Sequence, residues 1–73
     1  MRNFQALVGD MFMHHSGIVC VVMEDTPRNT NPDRLPSTNV IFIVGNEDIP
    51  VGYRTPVYLN SQFYKPLAQS RKQ

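Results

Sequence analysis

The stretch Gly9–Val22, GDMFMHHSGIVCVV, constrains this chain more than any other. It reads as a β-hairpin: a short strand, a turn at His15–Ser16–Gly17, and a strongly β-branched second strand. In Met11–His14 the side chains alternate, with Met11 and Met13 on one face and Phe12 and His14 on the other. Ile18–Glu24, IVCVVME, lacks helical spacing and lies between a glycine and an acidic pair. That pattern predicts a strand buried on much of both faces. The rest of the chain must pack around this hairpin.

Before it, Met1–Val8 reads as an arm or short helix that packs Phe4 and Leu7 onto one end of the fold. After it comes Asp25–Thr38, DTPRNTNPDRLPST, with three prolines and Leu35 as its one apolar residue. Proline removes an amide donor and fixes φ, so neither strand nor helix continues through it. A loop this long in a small domain is either mobile or in contact with a partner. Asn39–Gly45, NVIFIVG, is the clearest strand, because its centre is wholly β-branched or aromatic. Gly45–Asp48 is a turn. Ile49–Arg54 is extended but punctuated by Pro50 and Gly52, which suits an edge or corner. Thr55-Pro56 reads as a kink and Val57–Leu59 as a short strand. Asn60 and Ser61 can cap a single helical turn over Ser61–Leu67, where Phe63 and Leu67 are spaced i, i+4. Pro66 limits that turn, and 68–73 is a polar, basic tail that frays.

Short strands separated by turns, without a long helix, predict an all-β fold. The economical form is a small antiparallel barrel of four to five strands with a short terminal helical turn. At 73 residues the chain is one domain spanning 1–73. A domain of this size buries only about 60% of its unfolded surface, so its core is modest. Cys20 is the only cysteine, which excludes an internal disulfide staple. Two adjacent histidines and one cysteine are not a tetrahedral zinc set. No apolar run approaches the roughly 20 residues a membrane helix needs, and the N-terminus is too weak for a secretory signal. The expectation is a cytoplasmic protein with no membrane association, cofactor or bound metal.

The net charge of +1 hides an asymmetry. Residues 1–48 carry three arginines against six carboxylates, net −3, whereas 49–73 carry four cations and no acid, net +4. The halves either pair within the fold or leave a basic end free for an anionic partner.

The order of features resembles the Src-homology-3-like barrels. It has a Gly9-Asp10 opening turn, a hairpin, a long variable loop, two further strands and a final helical turn. The Gly17-Ile18-Val19 entry is similar to that of KOW-type barrels. More loosely, Phe12, His14, Gly17, Val40–Phe42, Arg54, Pro56 and Phe63 resemble a family of short bacterial domains of unknown function, although Thr55 intervenes between Arg54 and Pro56. The small size also resembles phage or mobile-element proteins. The resemblance implies a fold and transfers no activity, because such folds host many functions.

The candidate chemistry is sparse. His14 and His15 invite a metal reading, but neighbours on a strand point to opposite faces, which separates the imidazoles. Protonated near pH 6, the pair can still make a binding surface pH-sensitive. Cys20 lies inside an apolar strand, where a thiol acts as a small hydrophobe. Antiparallel pairing of the two main strands brings Glu24 to Asn39 and leaves Glu47 and Asp48 at the opposite end, so the acidic pairs do not form one site. The aromatic set Tyr53, Tyr58, Phe63 and Tyr64, interleaved with Arg54 and Lys65, suits a protein-binding hot spot or a base-stacking surface. It equally suits a core of Tyr58 and Phe63 covered by Tyr53 and Tyr64.

The leading expectation is a non-enzymatic protein-binding module, of the kind a small phage or accessory protein uses to dock on and modulate a larger host protein. Its contacts would be Tyr53, Arg54, Tyr58, Tyr64 and Lys65, with Arg28 and Arg34 from the long loop. The alternative is nucleic-acid binding by the basic, aromatic C-terminal half. A third reading is a homo-oligomer formed through an edge strand near Val57–Leu59.

Overall fold

The computed structural model describes residues 4–27 and 36–68. They form five strands: β1 Met11–His14, β2 Val19–Val22, β3 Thr38–Val44, β4 Arg54–Val57 and β5 Tyr64–Ala68. All pairings are antiparallel, in one sheet ordered β4-β3-β2-β1-β5. The all-β class is as the sequence implies. The sheet is not closed into a barrel: β4 and β5 are its two edges, with no ladder between them among the described residues. Instead, Phe4, Ala6 and Leu59 join the core from outside the strands, and the Phe4 amide donates to the Leu59 carbonyl at 2.7 Å.

Register explains which side chains are inside. Phe12 pairs with Cys20 and Cys20 with Phe42, while Val22 pairs with Val40 and Val40 with Thr55. Residues directly opposite share a face, so these rows stack Phe12, Cys20, Phe42, Val22 and Val40 into one core, joined by Ile18. The central strand β2 is buried along nearly its whole length. That is the outcome expected of an uninterrupted β-branched run. Burying each of the larger side chains stabilises the fold by about 1.5–3 kcal/mol.

Two turns need glycine for different reasons. Gly17 has φ +100°, in the left-handed region, and its amide closes the hairpin on the His14 carbonyl at 2.8 Å. Gly45 needs space: a Cβ there would lie 2.2 Å from the Ile49 carbonyl oxygen. The N-terminal arm is held by buried polar groups. Thr26 Oγ1 accepts the Ala6 amide at 2.9 Å and lies 2.8 Å from Thr38 Oγ1. Asp10 Oδ2 accepts the Leu7 amide at 3.0 Å. Phe4 packs against Phe12 with centroids 5.1 Å apart, and residues 4–8 are not helical.

The C-terminal third departs from expectation. The helical turn over Ser61–Leu67 is replaced by a tight turn at 61–63 and by β5. Asn60 nucleates that turn: its Oδ1 accepts the Gln62 amide, and its carbonyl accepts those of Phe63 and Tyr64. Pro66 disfavours a helix there, and the free edge of β1 supplies partners for a strand. Thr55-Pro56 is not a kink but lies within β4, which ends at Val57, so Val57–Leu59 is not a separate strand. Pro56 on β4 and Pro66 on β5 are both on edge strands, where proline is tolerated.

Candidate functional site

The end of the β1–β5 ladder gathers most of the exposed chemistry. His14 closes β1 and pairs in register with Tyr64 of β5. The turn then carries His15 back over Phe63, whose carbonyl accepts the His15 amide at 2.8 Å. The rings follow the backbone. His14 and His15 have centroids 4.2 Å apart. Phe63 lies 6.2 Å from His14, nearly parallel, and 5.6 Å from His15. Tyr64 meets His14 edge-on at 5.0 Å. Lys65 pairs with Met13 beside them. Together they line an open cleft of about 330 Å³.

This corrects the separation of the two imidazoles. Strand alternation holds only to His14, the last residue of β1; His15 is already in the turn, where the chain reverses. Burial, then the charge of His15, holds the His14 imidazole below its ordinary value of 6.5. Burial, followed by Cys20, raises the Tyr64 phenol. The His14 Nδ1 lies 2.8 Å from Ser16 Oγ, a spacing that nucleophile–base pairs also show. Here the same nitrogen accepts the Ser16 amide at 3.2 Å, so the contact braces the hairpin turn. With Nδ1 accepting that amide, the neutral ring carries its proton on Nε2.

A second open cleft, of about 400 Å³, lies at the β4 edge and is lined by Met23, Glu24, Asn39, Arg54 and Pro56 among others. Glu24 accepts a hydrogen bond from Asn39, so this cleft holds both signs of charge. The expected approach of Glu24 to Asn39 is observed.

The anticipated contact residues are therefore divided. Tyr53 precedes β4, half-exposed and stacked on buried Phe42 at 6.4 Å, and Arg54 begins β4. Tyr64 and Lys65 begin β5, the opposite edge. Tyr58, 57% exposed, lies between the edges on the connecting segment. Tyr58 and Phe63 are not core; both are exposed, whereas Tyr64 is half-buried. Arg28 and Arg34 lie outside the described residues, as do most of the long loop and all of the basic tail beyond Ala68. The sequence reading undervalued His14, His15 and Phe63 as one group. The signal was present in the His15–Ser16–Gly17 turn, which ends alternation one residue before the second histidine.

Cys20 is fully buried, and burial pushes its thiol up to about 11 against a smaller opposing hydrogen bond from the Phe12 backbone. Among the described residues no three His, Cys, Asp or Glu side chains group as a metal site, and no helix is long and apolar enough to cross a membrane. No family model, curated protein or solved structure matches the chain.

Proposed function

We propose that this chain is a non-enzymatic protein-binding module, a small accessory protein that docks on a larger protein. The observation that carries this is the gathering of four rings and one ammonium group around a single open cleft at the β5 edge. Aromatic residues in concave, partly desolvated surroundings are the usual anchors of protein interfaces. Phe63 is the foremost candidate anchor: it is 44% exposed, yet its backbone is fixed by the His15 and Asn60 contacts. Burial of Cys20 is consistent with a thiol that has only a packing role. The proposal also keeps the kinship with Src-homology-3-like barrels. The support is an antiparallel all-β sheet whose last strand lies beside the first.

The test is capture from an extract of the source cells with the full chain as bait. Phe63→Ala should abolish capture of a defined partner, and Tyr53→Ala at the opposite edge should retain it. Equal capture by all three proteins would contradict the reading.

Nucleic-acid binding is the second reading, favoured by Lys65 standing directly beside stackable rings. It requires binding that weakens steeply with salt and falls with Lys65→Ala, Arg54→Ala or removal of 71–73. Self-association through an edge strand is the third. Pro56 and Pro66 weigh against it, since each edge lacks an amide donor for an added strand.

A further inference from the structure

We propose that the β5 cleft takes an acidic peptide segment, a carboxylate side chain next to an apolar one, and grips it more tightly when the paired histidines are protonated. The inference rests on the protein-binding reading and specifies the partner's chemistry.

Charge complementarity selects the occupant. The titratable groups facing the cleft are His14 from β1, His15 from the hairpin turn, and Tyr64 and Lys65 from β5. The remaining lining residues are uncharged. On β2, the strand behind β1, the nearest titratable group is the buried thiol of Cys20. The described carboxylates are engaged or placed elsewhere. Asp10 is buried against the Leu7 amide, Asp25 accepts the Val8 amide, and Glu24 is bonded to Asn39 at the other edge. Glu47 and Asp48 lie in the segment between β3 and β4. Among the described residues no carboxylate lines the β5 cleft, and an entering carboxylate meets Lys65 and the two imidazoles.

Protonation adds positive charge and exchanges one turn contact for another. When neutral, His14 holds its proton on Nε2, because Nδ1 accepts the Ser16 amide. When protonated, Nδ1–H can donate to Ser16 Oγ, already 2.8 Å away, while Nε2–H is unchanged. In that state the Ser16 amide loses Nδ1 as its acceptor, and the contact to Ser16 Oγ is the one that braces the turn. In the empty protein, two imidazoles at 4.2 Å resist joint protonation. A bound carboxylate relieves that repulsion, and by linkage protonation then strengthens its binding. The exposed Phe63 ring supplies a wall for an apolar neighbour of the carboxylate. A polynucleotide fits less well. Its affinity comes from several cations spaced along a phosphate backbone, and among the described residues the cleft has one permanent cation, with Arg54 on the opposite edge.

The test is an NMR titration of the full chain, with the probe acetyl-Asp-Phe-Glu-Leu-amide and its control acetyl-Asn-Phe-Gln-Leu-amide. The acidic peptide should shift the signals of His14, His15, Phe63 and Lys65 and leave Tyr53 and Arg54 unmoved. Its affinity should be about fivefold tighter near pH 5.5 than near pH 7.5, with the neutral control at least about tenfold weaker. The double substitution His14→Gln, His15→Gln should flatten the pH dependence, and Lys65→Gln should weaken binding at both pH values. A native-like amide spectrum for each variant keeps loss of fold apart from loss of binding. Equal binding of both peptides, shifts centred away from the cleft, or unchanged affinity across the pH range would overturn the proposal. So would a thymidine oligonucleotide that shifts the cleft when the peptide does not. Failure here, with Phe63-dependent capture from extract intact, leaves docking standing and removes only the acidic ligand; loss of both removes the docking reading as well.

Discussion

The two edges of the sheet offer similar clefts with different chemistry. Each is open, each is bounded by one basic residue from its strand, and each contains a proline-bearing edge strand. At the β4 edge, Arg54 shares its cleft with Glu24, which is already bonded to Asn39, and the nearby Tyr53 ring is stacked on the core at Phe42. At the β5 edge, Lys65 has no acidic neighbour among the described residues of its cleft, and the rings of His14, His15 and Phe63 face one another at the surface. The difference teaches that residue type alone does not mark a site. The Tyr53 ring at one edge is stacked on the core, whereas the His14, His15 and Phe63 rings at the other contact one another around an open cleft.

The largest expected effect tests whether both edges hang on one core. Phe12 pairs with Pro66 of β5, and the Phe42 ring stacks on Tyr53. Phe12→Ala and Phe42→Ala should each cost about 3–5 kcal/mol. Urea unfolding followed separately at Tyr53 and Tyr64 should give one shared transition in either variant. Two separated transitions would show that the edges are independent units and break the comparison.

A smaller effect is expected from Thr26→Val. Thr26 Oγ1 accepts the buried Ala6 amide, and its loss strands that donor at about 1–3 kcal/mol. Because the arm contacts the core and not the β5 cleft, the unfolding midpoint should fall while the His14 and His15 signals stay put. Movement of those signals would tie the cleft to the arm.

The smallest effect is in the pH dependence of stability. His14 is held below its ordinary 6.5, so between its folded and unfolded values the unfolded chain binds more protons. Its contribution to stability is therefore present above pH 6.5 and lost as the pH falls through the folded value. His14→Gln should flatten this part of the stability curve, measured by thermal melts across that range, whereas Glu24→Gln at the β4 edge should leave it unchanged. A contribution that grew as pH fell would reverse the assignment of His14 as a desolvated imidazole.

Much of the fold was legible in the sequence, because the strong signals were local. Cys20 inside, the turn at His15–Ser16–Gly17 and the β3 run around Val40–Phe42 all follow from alternation and β-branching, whereas alternation alone leaves open which face of β1 is buried. What was not legible depends on partners far away along the chain. The i, i+4 spacing of Phe63 and Leu67 suggests a helical turn, but the free edge of β1 draws this segment into a strand. Leu59 and Ala6 are buried by packing that no local period reports. The candidate site illustrates the same limit. Tyr53 and Tyr64 are close in sequence yet stand at opposite edges, and His15 meets Phe63 only because β5 returns to β1.

The central claim is that the β5 edge, and not the β4 edge, carries the docking surface. Photo-crosslinking from two single positions tests it most directly. A photoreactive amino acid at Gln62, in the β5 cleft, should join the chain to one defined partner in an extract of the source cells. The same group at Val51, an exposed residue on the β4 side, should yield no such adduct. An adduct from Val51 and none from Gln62 would contradict the account.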